Sequence, residues 1–239
     1  MKIKIIPCLK DNYSYLIIDE SNDNACVIDP SESEPIIEYL DKNNINLKFI
    51  LNTHHHYDHV GGNNKLKEKY AAKVVGYEKD KERIPEIDIM VNDNEIWKSD
   101  NFEAKIMHIP GHTTGHICYY FYKDKIVFTG DTLFSLGCGR IFEGTYSQMF
   151  KSLNKFKQLP LNIKIFCGHE YTMQNAKFCL KHDPNNQKLK KKIIEIEKKL
   201  TNNLPTIPST IKDELECNIF LRSDNLETFS KLRDLKDNF

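Results

Sequence analysis

The sequence predicts a mixed α/β protein, two sheets covered by helices, followed by an all-helical tail. Three observations predict it. Short β-branched or aromatic runs recur up to about residue 168; they arrive in bunches with helical patterns between the bunches, not in regular strand–helix alternation; and beyond about residue 173 only helical patterns remain. The 239 residues fit one large domain with a smaller appendage, and the change of pattern divides the chain into 1–173 and 174–239.

The expected strands are Ile3–Ile6, Tyr13–Ile18, Ala25–Ile28, Phe49–Asn52, Val74–Gly76, Ala104–Ile109, Ile117–Phe121, Lys125–Thr129 and Lys164–Cys167. Helical spacing covers Pro35–Lys42, Gly62–Tyr70 and Ser147–Gln158. In the tail, Asp183-Pro184 offers an N-cap and a first-turn proline, and Leu189, Ile193, Ile196 and Leu200 mark one face of a helix ending near Asn202. The loop Leu204–Pro208 precedes a short helix near Ile211–Glu216. A last helix places Leu226, Phe229, Leu232 and Leu235 on one face, directed at the core.

Thirty-four basic residues balance 34 acidic ones, so the footprint of a nucleic-acid binder is missing. No apolar run approaches the roughly 18 residues a membrane helix needs, and Met1–Leu9 runs into strand-like sequence instead of a signal peptide's apolar core. Seven cysteines without a C-x-x-C pair suit reduced thiols. The expectation is a soluble cytoplasmic protein with no nucleic-acid, membrane or obligatory protein partner.

Thr53-His54-His55-His56-Tyr57-Asp58-His59 directly follows the strand ending at Asn52. If the strand persists, His54 and His56 point to one side and can grip one metal ion, while His55 points away and serves a structural role. The Gly61-Gly62 pair allows a turn, so Asp58 and His59 can reach a second ion. Three further candidates, His112, Asp131 and His169, each sit at the end of a strand-like run beside a glycine. Five His and two Asp suffice for two divalent ions, and such a pair activates a shared water for hydrolysis.

The H-x-H-x-D-H block, with a later His, a Gly-Asp-Thr and a Gly-His-Glu, resembles the metallo-β-lactamase superfamily. The longer words resemble its glyoxalase II branch, the hydroxyacylglutathione hydrolases: THHHYDHVGGN at 53–63, HTTGHICY at 112–119, FTGDTLF at 128–134, GCGR at 137–140, EGT at 143–145 and CGHEYT at 167–172. In the tail the resemblance rests on PST at 208–210, N-x-F-L-R at 218–222 and R-x-x-K-D at 233–237.

The resemblance implies an αβ/βα sandwich with a C-terminal helical subdomain. His54, His56 and His112 would hold the first ion, Asp58, His59 and His169 the second, and Asp131 would bridge them. Zinc is the first choice of metal, and the ligand set also accepts iron or manganese. The implied reaction is hydrolysis of S-(2-hydroxyacyl)glutathione thioesters, chiefly S-D-lactoylglutathione, by a metal-bridged hydroxide that Asp58 orients. It would serve methylglyoxal detoxification.

Residues 1–173 would then be catalytic and 174–239 substrate-binding. Arg140, Tyr171, Arg233 and Lys236 would meet the glutathione end, with Arg222 a structural anchor and Cys138 and Cys167 structural thiols. Phe142 stands where the family often has Tyr, Arg140 where it often has Lys, and Asn218-Ile219-Phe220 replaces N-P-F. Two alternatives are a persulfide dioxygenase with a single iron and a non-catalytic member of the fold; neither accounts for the tail words and the full ligand set together.

Overall fold

The structure, a computed structural model, describes all 239 residues, which pack as two compact units. The first comprises Met1–His108 and Gly115–Asp124, the second Ile109–Thr114 and Lys125–Phe239. No helix is long and apolar enough to cross a membrane.

In the first unit the elements run β1 (Lys2–Cys8), β2 (Asn12–Asp19), β3 (Asn24–Ile28), α1 (Glu34–Asn43), β4 (Asn46–Leu51), α2 (Tyr57–Val60), α3 (Asn63–Tyr70), β5 (Lys73–Tyr77), β6 (Ile87–Val91), β7 (Ile96–Ser99), β8 (Phe102–His108) and β9 (Ile117–Phe121). Strands β1 to β6 form one sheet in sequence order, antiparallel from β1 to β3 and parallel from β3 to β6. Strands β7, β8 and β9 form an antiparallel meander. Strand β2 is buried along its whole length, which is why Tyr13–Ile18, apart from Ser14, reads as a run of apolar residues instead of an alternating one. One face of the sheet packs Leu16, Val27, Leu47 and Ile50 against Ile36 and Leu40 of α1 and Leu66 of α3. On β4, Phe49 meets Trp97 and Phe102 of the meander edge-on, at ring-centroid distances of 5.2 and 6.5 Å.

The second unit runs β10 (Ile126–Gly130), β11 (Leu133–Phe134), β12 (Gly137–Cys138), α4 (Tyr146–Phe156), β13 (Lys164–Cys167), α5 (Thr172–His182), α6 (Gln187–Thr201), β14 (Ser209–Thr210), α7 (Ile211–Cys217) and α8 (Leu226–Asp237). Strand β13 lies parallel to β10 and antiparallel to β14, and β11 with β12 makes a small ribbon. An aromatic chain ties the helices together: Phe178 of α5 stacks on Phe220, Phe220 meets Phe229 of α8 edge-on, and Phe229 contacts Phe150 of α4.

Several expectations need correction. Asp183 does not open α6; it closes α5, and Asn186 caps α6 by accepting from Leu189 N. Helix α5 itself was not expected, because its apolar residues are interleaved with Thr172, Gln174 and Asn175. Strands β6 and β7, each at the edge of its sheet, were not expected either; both are short, and β6 was passed over although four of its five residues are apolar. On α8 the predicted stripe is wrong. Leu226 and Leu235 are exposed, 51% in the case of Leu235, and the buried pair is Phe229 and Arg233, four residues apart.

Glu214 of α7 is fully buried, and its Oε2 accepts from Leu136 N at 2.8 Å and from Asn218 Nδ2 at 2.9 Å. Desolvation lifts its pKa from 4.5 to about 7 against the pull of those donors. The unfolded chain therefore releases this proton near pH 4.5 while the folded chain keeps it to about 7, and stability is lost as pH rises between those values. Up to about 3 kcal/mol is at stake above pH 7. Glu214→Gln mimics the protonated form, so it is expected to melt higher than the parent at pH 8 and close to it at pH 5. A difference in melting temperature that is the same at both pH values would refute the buried-proton account.

Candidate metal centre

In the first unit β4 stops at Leu51, so the histidines that follow lie on a loop and a short helix, not on a strand. The rings still converge: His54 lies 4.7 Å from His56 and 4.2 Å from His59 between centroids. His55 turns elsewhere, its Nδ1 3.2 Å from the buried Asp80 carboxylate, which Arg83 also grips at 2.5 Å. Asn52 and Asn63 fasten the turn as a reciprocal buried amide pair, and Asn52 Nδ2 also donates to His59 O. The expected turn runs through Gly61 and Gly62 into α3, at ordinary helical φ values that do not call on glycine's conformational freedom. What they supply is space, since a Cβ at 61 would stand 2.5 Å from Ser31 O.

Beneath these rings lies Asp29, a residue the sequence reading passed over. Buried at the end of β3, it accepts from Thr53 N (2.7 Å), Thr53 Oγ1 (2.6 Å) and His59 Nδ1 (3.0 Å). Because Thr53 Oγ1 gives its only proton to Asp29, it must accept from His54 Nδ1 at 3.0 Å. Both imidazoles are thus held with a proton on Nδ1, which leaves Nε2 as the basic nitrogen of the neutral ring. His116 stacks on His54 at 4.5 Å and fixes its plane, with its own Nδ1 donating to Ile117 O. Asp58 is held by Asn12, whose Nδ2 donates to Oδ2 at 3.0 Å and to the Asp58 carbonyl at 3.1 Å. Its Oδ2 lies 3.6 Å from His59 Nε2, too far for a hydrogen bond.

In the second unit, three backbone turns deliver His112, Asp131 and His169 to one place. Gly111 at φ 153° and Gly130 at φ 48° precede the first two, and Gly168 N donates to Gly130 O to bring the third alongside. Asp131 Oδ2 lies 3.2 Å from His169 Nε2 and 3.6 Å from His112 Nε2, so one carboxylate oxygen sits between two imidazoles. His112 Nδ1 donates to Arg140 O at 2.8 Å, which fixes the same tautomer found for His54 and His59. Gly139 passes so close over Asp131 that a Cβ would stand 1.9 Å from the Asp131 carbonyl oxygen. His169 stacks on Tyr171 with rings nearly parallel at 4.8 Å.

This donor chemistry fits a divalent metal. Neutral imidazoles anchored through Nδ1 by a carboxylate, a hydroxyl and a backbone carbonyl are the arrangement that presents Nε2 to an ion. Thiols are not part of it. All seven cysteines are free and buried, and burial raises the Cys138 thiol and pushes Cys167 to about 12.

The residues expected to meet the substrate divide. Arg140 and Phe142 are open to solvent, with 59% of the Arg140 side chain exposed, and Phe142 rests edge-on against His112. Lys236 lies half-buried over the rings of Phe178 and Phe239, and Arg222 pairs with Asp183 as a structural anchor. Arg233, expected on an open face, is 3% exposed. Its NH1 donates to Cys138 O at 2.7 Å, its NH2 to Asp237 Oδ1 at 2.9 Å, and its guanidinium lies over Phe220. Packing of the Phe229 face carries it inward, and those partners offset its desolvation.

Asp29 could have been found by the rule that found His112 and Asp131, since it too ends an apolar strand run. His116 lies within a word used for the resemblance, but nothing in that word says it stacks. No sequence signal points to Asn12 or Asp80.

Residues 10–169 match the family model described as the metallo-beta-lactamase superfamily, and residues 170–239 match the hydroxyacylglutathione hydrolase C-terminus. A hydroxyacylglutathione hydrolase of Pelagibacter ubique (strain HTCC1062) is 70% identical over 239 residues, covering 100% of both chains. One from Prochlorococcus marinus (strain MIT 9301) is 46% identical over 96% of this chain and 93% of its own. Among solved structures, ETHE1 from Myxococcus xanthus superposes with a TM-score of 0.73 at 23% identity, over 98% of this chain and 90% of its own. The BLEG-1 B3 metallo-beta-lactamase gives 0.73 at 21%, over 93% and 100%. These likenesses show the fold: mixed α/β sheets of the metallo-β-lactamase type with a helical C-terminal region.

Asp29→Asn places an amide nitrogen among donors and removes the charge that orients His59 and, through Thr53, His54. It is expected to weaken metal retention about 10- to 100-fold, measured as metal content by elemental analysis after dialysis against a graded chelator. Retention equal to the parent's would show that the Asp29 network has no hold on the ligands.

Proposed function

The chain belongs to the metallo-β-lactamase superfamily and, within it, to the hydroxyacylglutathione hydrolases, and from that premise we propose that it hydrolyses S-(2-hydroxyacyl)glutathione thioesters, chiefly S-D-lactoylglutathione, to D-lactate and glutathione. The observation that carries this is full-length 70% identity to a hydroxyacylglutathione hydrolase, together with the dedicated C-terminal match over residues 170–239. The physiological role we assign is disposal of the thioester that arises when methylglyoxal is captured by glutathione. A reducing cytoplasm suits its seven free thiols.

We assign His54, His56 and His112 to one metal ion, Asp58, His59 and His169 to a second, and Asp131 to both, with zinc the first choice and iron or manganese accepted by the same donors. Support comes from the resemblance in sequence and from the anchored Nε2 tautomers within each unit. Bound there, two divalent ions would lower the pKa of a shared water and polarise the thioester carbonyl.

The remaining work falls to the chain's own side chains. To Asp58, held by two hydrogen bonds from Asn12, we assign the orienting of the attacking water. Asp131, between His112 and His169, would supply negative charge to balance cations bound there. Arg140, exposed after the Gly137-Cys138-Gly139 turn, offers a charge-assisted contact to a glutathione carboxylate. Tyr171 next to His169, Lys236 and the exposed Phe142 ring complete the carrier-binding set we assign, and residues 174–239 are the segment that recognises the carrier. Phe142 lacks the hydroxyl of the Tyr often found there, so it can contribute apolar contact only.

Purified protein is expected to release free thiol from S-D-lactoylglutathione at a rate abolished by prior chelation and restored by added divalent metal. Cys138→Ala and Cys167→Ala are expected to keep the rate within about threefold of the parent, because neither buried thiol supplies a nucleophile. Release that survives complete metal removal, or is lost with either cysteine, would overturn the metal-assisted reading.

A further inference from the structure

Asp237, the last residue of α8, stands between two arginines of opposite character. Its Oδ1 accepts from Arg233 NH2 at 2.9 Å and lies 3.3 Å from Arg140 Nε, and its backbone carbonyl accepts from Arg140 NH2 at 3.4 Å. Arg233 is buried, and its other contacts are the Cys138 carbonyl and the Phe220 ring. Arg140 is mostly exposed.

A carboxylate facing one exposed arginine would cancel its charge and hold it loosely, because such pairs are weak in water. Here the buried guanidinium of Arg233 already commits the Asp237 charge. Leaving a buried cation unpaired is costly, so the Arg233–Asp237 pair persists as a neutral unit. Arg140 then leans with one edge of its fork on this fixed unit and keeps its own charge. The neighbourhood counts Arg140, Arg233 and Lys236 against Asp234 and Asp237, with Asp234 turned to the Tyr146 hydroxyl, and stays net positive. An arginine held along one edge has lost much of its rotamer freedom before any ligand arrives.

We propose that Asp237 is a positioning residue: anchored by buried Arg233, it aims Arg140 at the carboxylate-bearing end of the thiol carrier and so sets the Michaelis constant for anionic thioesters. The proposal rests on the glutathione thioester being the substrate. It assigns to Arg233 the task of holding Asp237.

The experiment is steady-state kinetics on S-D-lactoylglutathione for the metal-loaded parent, Asp237→Asn, Arg140→Met and the double variant, with folding checked by thermal melting and metal content. Asp237→Asn is expected to raise KM about fivefold to tenfold with kcat changed less than about twofold, the pattern of lost uniform binding. In the Arg140→Met background it should add almost nothing, since the two residues act through one contact. Asp237→Glu, which keeps the charge, should recover part of the loss and stands in if the Asn variant fails to fold. A lower KM for Asp237→Asn would mean that Asp237 competes with the substrate's carboxylate, and multiplying effects in the double variant would mean independent roles; either overturns the proposal. Parent protein that does not turn over S-D-lactoylglutathione would instead sink the substrate reading, and with it the premise.

Discussion

A buried carboxylate must have its lone pairs filled or give up its charge. Asp29 meets that demand with three donors, and most of the first unit's functional geometry follows from which donors they are. Two belong to Thr53, so the chain leaving β4 is tied to the end of β3 where those strands run parallel. The third is His59 Nδ1, which pulls α2 back onto the same point. Since the Thr53 hydroxyl is spent on Asp29, His54 must donate to it in turn. One acid thereby sets two tautomers and two ring positions, and the histidine loop needs no regular secondary structure to be precise.

The second unit reaches the same end by a different construction. His112 is oriented by the carbonyl of Arg140, and the loop from Leu136 to Arg140 is held almost atom by atom from the tail. Glu214 takes Leu136 N, Asn218 takes Gly137 O, Arg233 takes Cys138 O, and Asp237 takes Arg140 itself. Helices α7 and α8 therefore hold the loop whose last carbonyl orients His112, which couples the tail through backbone to a histidine we assign to the metal.

Much of this was legible in the sequence and some could not be. The nine expected strands and the three helices of the first 173 residues are present within a residue or a few at their ends, because each is long enough, or apolar enough, for its period to stand out. The family, fold type and reaction class followed from short words whose spacing is hard to reproduce by packing alone. What failed was the choice of the face of α8 that meets the core, although the same periodicity placed Leu189 and Ile196 of α6 correctly. Leu235 was assigned inward by periodicity, yet Arg233 took that place because Phe220, Cys138 O and Asp237 together make a site for a guanidinium, and only Asp237 of the three is its neighbour on the helix. Asp29 itself was within reach of the strand-end rule, but that it meets residues 53, 54 and 59 is something only the fold says.

A site that releases a thiol has a particular hazard in nearby cysteines, which a thioester can acylate by direct exchange. The second unit places Cys138 beside the Arg140 loop and Cys167 two residues before His169, so the hazard is real here. Burial answers it. A thiol with a pKa of about 12 holds roughly one thiolate in 10⁵ at neutral pH, and the thiolate is the reactive form. Cys167 Sγ points at the His169 carbonyl, and Cys138 lies under the Arg233 guanidinium at 3.6 Å, where the cation lowers its pKa but desolvation still wins. Packing that arginine inward fixes the Arg140 loop through the Cys138 carbonyl and Asp237, and it is burial of the sulfur, against the pull of the guanidinium beside it, that keeps the Cys138 thiol protonated.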